Sequence, residues 1–131
     1  MSTIDQPTKI LLREKGRFLN LEYGSGLRHE LDAEYLRVSS PSAEVQGHGS
    51  EGGELPTGKQ HVRITGIEKA GNYALRLTFS DSHDSGIYSW TYLKQLAVEK
   101  EQRWQEYLIE LRKLRVTREP DVQVVRFFDA S

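Results

Sequence analysis

Apolar and polar residues near the start of the chain alternate with the two-residue period of a β-strand. The alternation runs through KILLRE at 9–14, RFLNLEY at 17–23 and LRHEL at 27–31. Turns that contain glycine separate these runs, and Gly16 in the first turn can adopt the positive φ that a tight hairpin requires. The pattern predicts three strands joined as a meander.

A helix signal and two more strand signals follow the meander. Asp32 can cap a short helix that ends before Pro41, because the residue preceding a proline avoids the α region. Alternation resumes in HVRITGI at 61–67 and in YALRLTF at 73–79, which is the clearest strand pattern of the chain.

From Trp90 onward the spacing of the apolar residues changes from two to three and four. Residues at this spacing lie on one face of a helix, and they are Leu93, Leu96, Trp104, Tyr107, Leu108, Leu111 and Leu114. Glu99 precedes Arg103 by four residues, a separation at which a helix brings opposite charges together. The pattern predicts one long helix over about 90–115.

Two segments lack a decisive pattern. Residues 39–58 are rich in glycine and serine and poor in large apolar side chains, which predicts a flexible loop. The VQVVRFF run at 122–128 fits an edge strand or an apolar tail that docks on a partner, and a strand is favoured. The chain as a whole predicts a single domain over 1–131 of the α+β class. Its mainly antiparallel sheet has about five to six strands, with a short helix and one long C-terminal helix.

Composition limits the classes of function. The 131 residues suit one domain, and 18 Lys+Arg against 19 Asp+Glu give a formal charge of -1, which provides no net field to attract a polyanion. No apolar run reaches the roughly 18 residues that a membrane span needs. The absence of cysteine excludes disulfides, thiolate nucleophiles and cysteine-ligated iron–sulfur clusters. We expect a cytoplasmic protein that binds neither nucleic acid nor a membrane.

Candidate chemistry is concentrated in DSHDSGIYSWTYL at 81–93, where a histidine lies between two aspartates. In an extended segment Asp81 and His83 share one face, so a metal site would use these two side chains. His48 or His61 would join them only if the loop folded back. The alternative is a turn whose polar side chains bind its own backbone, and this alternative is favoured.

Motifs of catalytic and nucleotide-binding sites fail on their context. Residues 47–52 match GxGxxG, but no strand pattern precedes them and no helix pattern follows. Residues 53–59 have the GxxxxGK spacing, but Gln60 replaces the hydroxyl residue that binds Mg²⁺. The chain has neither the GxSxG elbow of hydrolases nor the HxD pair of iron dioxygenases. A non-catalytic protein is therefore favoured.

Three segments, at 31–49, 64–86 and 87–93, together resemble a known family. They are similar to the small bacterial domain that matches the N-terminal domain of gamma-butyrobetaine hydroxylase. The similarity covers roughly 9–97 and leaves 98–131 as an extension made of the later helix and the tail. In eukaryotic hydroxylases this domain precedes an iron- and 2-oxoglutarate-dependent catalytic domain. The iron-binding residues of that catalytic domain are absent here, so the resemblance does not imply hydroxylase activity.

The resemblance also implies a zinc site, for which the eukaryotic domain uses three cysteines and one histidine. The cysteine positions fall near Ser40, Ser42 and Val45 of this chain, and the histidine is His83. Hydroxyl groups and a valine do not replace thiolates as zinc ligands, so we expect the zinc to be absent and no other cofactor to be bound. The glycine before the family's histidine is Ser82 here, which we expect to change the turn.

The resemblance and the missing catalytic motifs predict an interaction or accessory domain that binds a partner protein or a second copy of itself. The predicted contacts are aromatic residues outside the family-like core, namely Trp104, Tyr107, Phe127 and Phe128. The competing prediction is a metal- or small-ligand-binding accessory protein that uses His83. Some relatives are joined to iron–sulfur carrier proteins, which is the basis of this second prediction.

Overall fold

The computed structural model describes residues 6–42 and 55–119. Within them the chain forms six strands and three helices. In chain order these are β1 (Lys9–Arg13), β2 (Phe18–Glu22), β3 (Arg28–Asp32), α1 (Ala33–Val38), β4 (Ile64–Ala70), β5 (Ala74–Phe79), β6 (Gly86–Ser89), α2 (Trp90–Val98) and α3 (Lys100–Leu114). The predicted α+β class is confirmed. Across the described ranges, no helix is both long and apolar enough to cross a membrane.

The strands form two separate antiparallel sheets rather than one. The first has the order β1-β2-β3 and the second β4-β5-β6, so each is a meander built around its middle strand. Leu19 of β2 pairs with Leu12 and Leu31, and Leu75 of β5 pairs with Tyr88. The prediction of one sheet of five to six strands is therefore wrong. Alternation identifies which residues are extended, but packing over long sequence distances decides which strands join.

The first hairpin joins the two sheets. The Gly16 carbonyl accepts a hydrogen bond of 2.8 Å from the Ile64 amide. Gly16 has a φ of 88°, and a Cβ added to it would overlap the Ile64 carbonyl oxygen. The glycine thus serves the turn, as predicted, and also allows the backbone of β4 to approach.

One core lies between the sheets and the helices. Its fully buried residues include Leu19, Leu21, Leu31, Leu36, Leu75, Leu77, Phe79, Tyr88, Trp90, Leu93 and Leu96. Both sheets, α1 and α2 contribute to this set, so the described elements form a single packed unit.

The predicted long helix is divided at Glu99, which has φ -98° and ψ 16°. The prediction of one helix over 90–115 is therefore wrong, and two helices, α2 and α3, occupy this range. The apolar spacing continues across the break, so periodicity alone does not reveal it. The predicted ion pair of Glu99 and Arg103 is present, with Nε 2.8 Å from Oε1.

Both ends of the predicted loop at 39–58 pack against the domain. Ser40 and Ser42 are buried, and the Pro56 carbonyl accepts a hydrogen bond of 2.7 Å from the Tyr107 hydroxyl. Residues 43–54 and 120–131 lie outside the described residues. The predictions that fall on them are the middle of the loop, the strand at 122–128, Val45, His48, Phe127 and Phe128.

Candidate functional site

Helix α1 has a buried polar residue near each end. Asp32 caps the helix by accepting a hydrogen bond of 2.8 Å from the Glu34 amide, as predicted. Glu34 in the first turn is 4% exposed, and Ser40 just beyond the helix is 0% exposed. Because a buried polar group loses its water, each of these side chains requires a partner within the protein.

At the C-terminal end of α1 the partner is the histidine singled out from the sequence. Ser40 Oγ lies 2.9 Å from His83 Nε2, and Ser42 Oγ lies 3.5 Å from the same nitrogen. The two hydroxyls are 3.4 Å apart, and Ser42 and His83 are each 9% exposed. We call these three residues the serine–histidine cluster. It ties the end of α1 to the connection between β5 and β6.

A tight turn positions His83. The Phe79 amide donates to the His83 carbonyl, and the Ser82 amide donates to the Phe79 carbonyl, both at 2.9 Å. Ser82 has a φ of 72°. A serine here therefore adopts the left-handed conformation that a glycine would adopt without strain.

Asp81 is held by two cations rather than by the His83 ring. Its Oδ2 accepts hydrogen bonds from Arg37 Nε at 2.9 Å and Lys59 Nζ at 2.6 Å. Its Oδ1 accepts a bond of 3.3 Å from the His83 backbone amide. Burial alone would raise the pKa of Asp81, but the hydrogen bond from Lys59 and the charge of Arg37 hold this pKa below its usual value. The side chain therefore fixes the turn as a charged carboxylate.

The fold brings together positions that the family resemblance assigns to zinc ligands, but their side chains do not fit a zinc ion. Ser40 and Ser42, which stand at two cysteine positions, do meet His83. Neutral hydroxyls are not the thiolate or imidazole ligands of a structural zinc site. In the part of the chain that the structure describes, no three His, Cys, Asp or Glu residues are grouped to hold a metal ion. The metal role of His83 and Asp81, and the expected absence of zinc, stay predictions.

At the N-terminal end of α1 the partner of Glu34 is an arginine near the end of the described chain. Arg118 Nε and Nη2 donate to the two carboxylate oxygens of Glu34, each at 2.8 Å. The Arg118 guanidinium also lies 5.3 Å from the ring centre of Trp104, and its backbone carbonyl accepts a bond of 2.8 Å from the Gln60 amide. Arg118 is thus fixed in position, yet its side chain is 38% exposed.

Two concave chambers flank this ion pair and share Asp32, Glu34 and Arg118. The aromatic chamber, of about 290 Å³, adds Tyr35, Lys100, Glu101 and Trp104. The polar chamber, of about 310 Å³, adds Arg17, Gln60, His61 and Arg63. We call the two together the two-chamber cleft. An open, preformed concavity with an aromatic wall and a few polar groups is typical of a binding site.

The charges of the polar chamber favour an anion. Glu34 and Arg118 neutralise each other, so Arg17 and Arg63 face the single carboxylate of Asp32. Arg17 Nε is 3.9 Å from Asp32 Oδ2, which is the outer limit of an ion pair. In the aromatic chamber the added lysine and glutamate balance each other. The excess positive charge therefore lies at the polar end of the cleft.

The predicted contact residues Trp104 and Tyr107 have different surroundings. Tyr107 is 7% exposed, and its hydroxyl is bound to Pro56. Trp104 is half-buried, with its ring centre 6.3 Å from that of Tyr35, and it borders the cleft. A role for either residue in binding a partner stays a prediction. The sequence gave no sign of Glu34 and Arg118 as a pair, because 84 residues separate them.

The family described as "Gamma-butyrobetaine hydroxylase-like, N-terminal" matches residues 10–94. The chain belongs to this family. The matched residues include both sheets, α1 and the whole serine–histidine cluster, whereas Trp104 and Arg118 lie beyond them. No curated protein matches the chain.

Solved structures extend the similarity beyond the family region. Two solution NMR structures share 46% and 41% identity with the chain, each with a TM-score of 0.76. They cover 96% and 95% of this chain and 99% and 93% of theirs, so the similarity includes the C-terminal extension. A crystal structure from Acidithiobacillus ferrooxidans, of a protein with unknown function in the DUF971 family, is 32% identical. It has a TM-score of 0.60 and covers 74% of this chain and 98% of its own.

Proposed function

We propose that this member of the gamma-butyrobetaine hydroxylase-like N-terminal family is a cytoplasmic, non-catalytic recognition domain that binds a partner protein at the two-chamber cleft. The observation that carries the proposal is the combination of an aromatic wall and an excess of arginine on either side of one buried ion pair. The matching partner segment presents an acidic side chain to the polar chamber. It presents an aromatic or aliphatic side chain to Trp104.

The cleft is organised before any partner arrives. Arg118 is held at two points by Glu34 and stacks on Trp104. Tyr35, on the same wall, donates a hydrogen bond of 2.6 Å to the Leu96 carbonyl. Because these side chains are already fixed, little conformational entropy is lost when a partner binds. Aromatic and arginine side chains in this state are the residues that most often dominate binding energy.

The serine–histidine cluster supports the non-catalytic part of the proposal. Its imidazole nitrogen faces two buried hydroxyls, and the neighbouring Asp81 is engaged by Arg37 and Lys59. A general base needs access to a substrate proton, and this cluster faces the interior. Its geometry favours a structural role, the joining of α1 to the connection between β5 and β6.

A displayed library of random peptides, selected on the immobilised full chain, tests the proposal. We expect enrichment of peptides in which Asp or Glu lies within a few residues of Phe, Tyr, Trp or Leu. Synthetic copies should bind at least about tenfold more weakly to Arg63→Ala and Trp104→Ala, the loss expected when one well-packed contact is removed. Replacing the peptide's Asp with Asn should weaken binding to the natural chain in the same way.

Two exposed residues outside the cleft provide matched controls. Arg76→Ala removes an arginine that pairs with Glu68 on the surface of the second sheet, and Tyr73→Ala removes an aromatic side chain that is 61% exposed. Neither change should alter peptide affinity. Selected peptides without acidic residues, or equal losses in the cleft and control variants, would contradict the proposal.

A further inference from the structure

We infer that residues 126–129 of the chain dock into the two-chamber cleft of the same molecule and compete there with the partner. This inference rests on the proposed binding role of the cleft. Residues 120–131 lie outside the described part, so their sequence and the place where the described chain ends carry the argument.

The described chain ends at the rim of the cleft. The Thr117 carbonyl accepts a hydrogen bond of 3.0 Å from the Gly58 amide, and the Arg118 carbonyl accepts one from the Gln60 amide. These bonds fix the backbone immediately before the tail. Phe127 follows Glu119 by eight positions, and eight residues span up to roughly 26 Å. The tail is therefore long enough to turn back and reach both chambers.

The aromatic residues of the tail match the aromatic chamber. Phe127 and Phe128 are adjacent large apolar side chains in a tail that otherwise has short or polar residues apart from its valines. Trp104 and Tyr35 form the wall of the aromatic chamber, and their rings meet edge to face. A phenylalanine ring added to such a pair gains both burial and favourable ring geometry.

The charges on either side of the phenylalanines follow the charges of the cleft. Asp129 comes directly after them, and an aspartate is the anion that the polar chamber with Arg63 favours. Arg126 comes directly before them, and Glu101 lies at the opposite, aromatic end of the cleft. The order base, aromatic, aromatic, acid thus matches the cleft from its aromatic end to its polar end.

Attachment to the same chain favours this occupant over a free peptide. A short flexible tether gives an effective concentration in the mM range. A segment whose own dissociation constant is about 0.1 mM is then bound about ten times more often than it is free. A partner with higher affinity still displaces it, so the tail acts as a reversible cover.

Paramagnetic relaxation measured by NMR on the full chain tests the inference. Because the chain has no cysteine, Ser131→Cys provides a single attachment point for a nitroxide label. We expect the Trp104 indole and the Arg63 and Arg118 amides to lose most of their intensity. The amide of Tyr73, which does not line the cleft, should keep its intensity.

Variants of the tail separate specific docking from random proximity. Phe127→Ala combined with Phe128→Ala should restore the cleft intensities, whereas Val124→Ala combined with Val125→Ala should leave the loss in place. A mixture of labelled natural-isotope protein with unlabelled ¹⁵N protein should show no loss. Loss in that mixture identifies a second copy as the occupant and overturns the inference, as does loss that survives the phenylalanine changes.

Peptide binding distinguishes failure of this inference from failure of the proposed function. The variant with both phenylalanines replaced should bind selected peptides about tenfold more tightly than the natural chain, since its cleft is uncovered. Equal affinity overturns tail docking, while binding that depends on Arg63 leaves the proposed function in place. If no peptide binds the uncovered cleft, the proposed function itself fails.

Discussion

The two ends of helix α1 bury polar side chains to the same degree but in different surroundings. Ser40 belongs to a neutral cluster whose other members, Ser42 and His83, are also buried. Glu34 is a buried carboxylate, but its partner Arg118 is 38% exposed and borders an open cleft. The first arrangement rigidifies the fold, and the second presents one of its members to a ligand. A buried polar residue indicates a binding site when its partner is accessible.

The largest effect is expected from breaking the charged end. Arg118→Ala leaves Glu34 buried without a counter-charge, so the free energy of unfolding should fall by about 2–3 kcal/mol. This is somewhat below the loss for a fully buried pair, because water can reach the side of Arg118. Urea unfolding at pH 7, with the natural chain measured in parallel, gives the value.

A second substitution shows whether the uncompensated charge is the cause. Glu34→Gln added to Arg118→Ala removes the buried charge and should recover about half of the loss. A single variant that loses less than about 1 kcal/mol would place Glu34 in contact with water. The contrast between the two ends of α1 would then disappear.

A smaller effect is expected at the neutral end. Ser40→Ala removes the hydroxyl 2.9 Å from His83 Nε2, and Ser42 at 3.5 Å compensates only in part. The expected loss is about 1–2 kcal/mol, the usual cost of leaving one buried polar group with a poorer partner. Peptide affinity for the cleft should not change. A loss larger than that of Arg118→Ala in the same urea experiment would reverse the comparison.

The sequence predicts one end of α1 much better than the other. Strand periodicity, the Asp32 cap and the hairpin glycine were all readable, because each depends on residues close together in the chain. The family resemblance brought Ser40, Ser42 and His83 together correctly, since their spacing is part of the family pattern. Arg118 had no such signal, because its partner lies 84 residues away and outside the matched region.

The same distinction explains the two errors of the fold prediction. The division into two sheets depends on contacts such as that between Gly16 and Ile64, which no local pattern encodes. The break at Glu99 leaves the apolar spacing of α2 and α3 intact, so the helical period was correct and the continuity was not. Local periodicity predicts elements, whereas packing decides how they are joined.

The pH dependence of stability sharpens the description of the cluster end. The pKa of Asp81 lies below its ordinary value of 3.8 in the folded chain, so the unfolded chain binds the proton more tightly. The stabilisation is therefore fully present above pH 3.8 and is lost as the pH falls towards the folded pKa. Asp81→Asn should cost about 1 kcal/mol at most at pH 6 and much less at pH 3. Urea unfolding of both chains at the two pH values measures this, and an equal difference at both would contradict it.

The smallest effect is expected in the turn that holds His83, which has a counterpart elsewhere in the chain. The Gly26 amide donates to the Tyr23 carbonyl, and the Tyr23 amide donates to the Leu27 carbonyl, the same pattern as at the turn of Ser82. Gly26 has φ 95° and Ser82 has φ 72°. Ser82→Gly should therefore raise the free energy of unfolding by about 0.5 kcal/mol, because relief of the backbone strain exceeds the entropy that glycine adds to the unfolded chain. The reverse change, Gly26→Ser, should lower it by about 1 kcal/mol. Thermal unfolding of both variants checks the pair, and a Ser82→Gly chain that is less stable would mean that the serine side chain contributes a contact worth more than the strain.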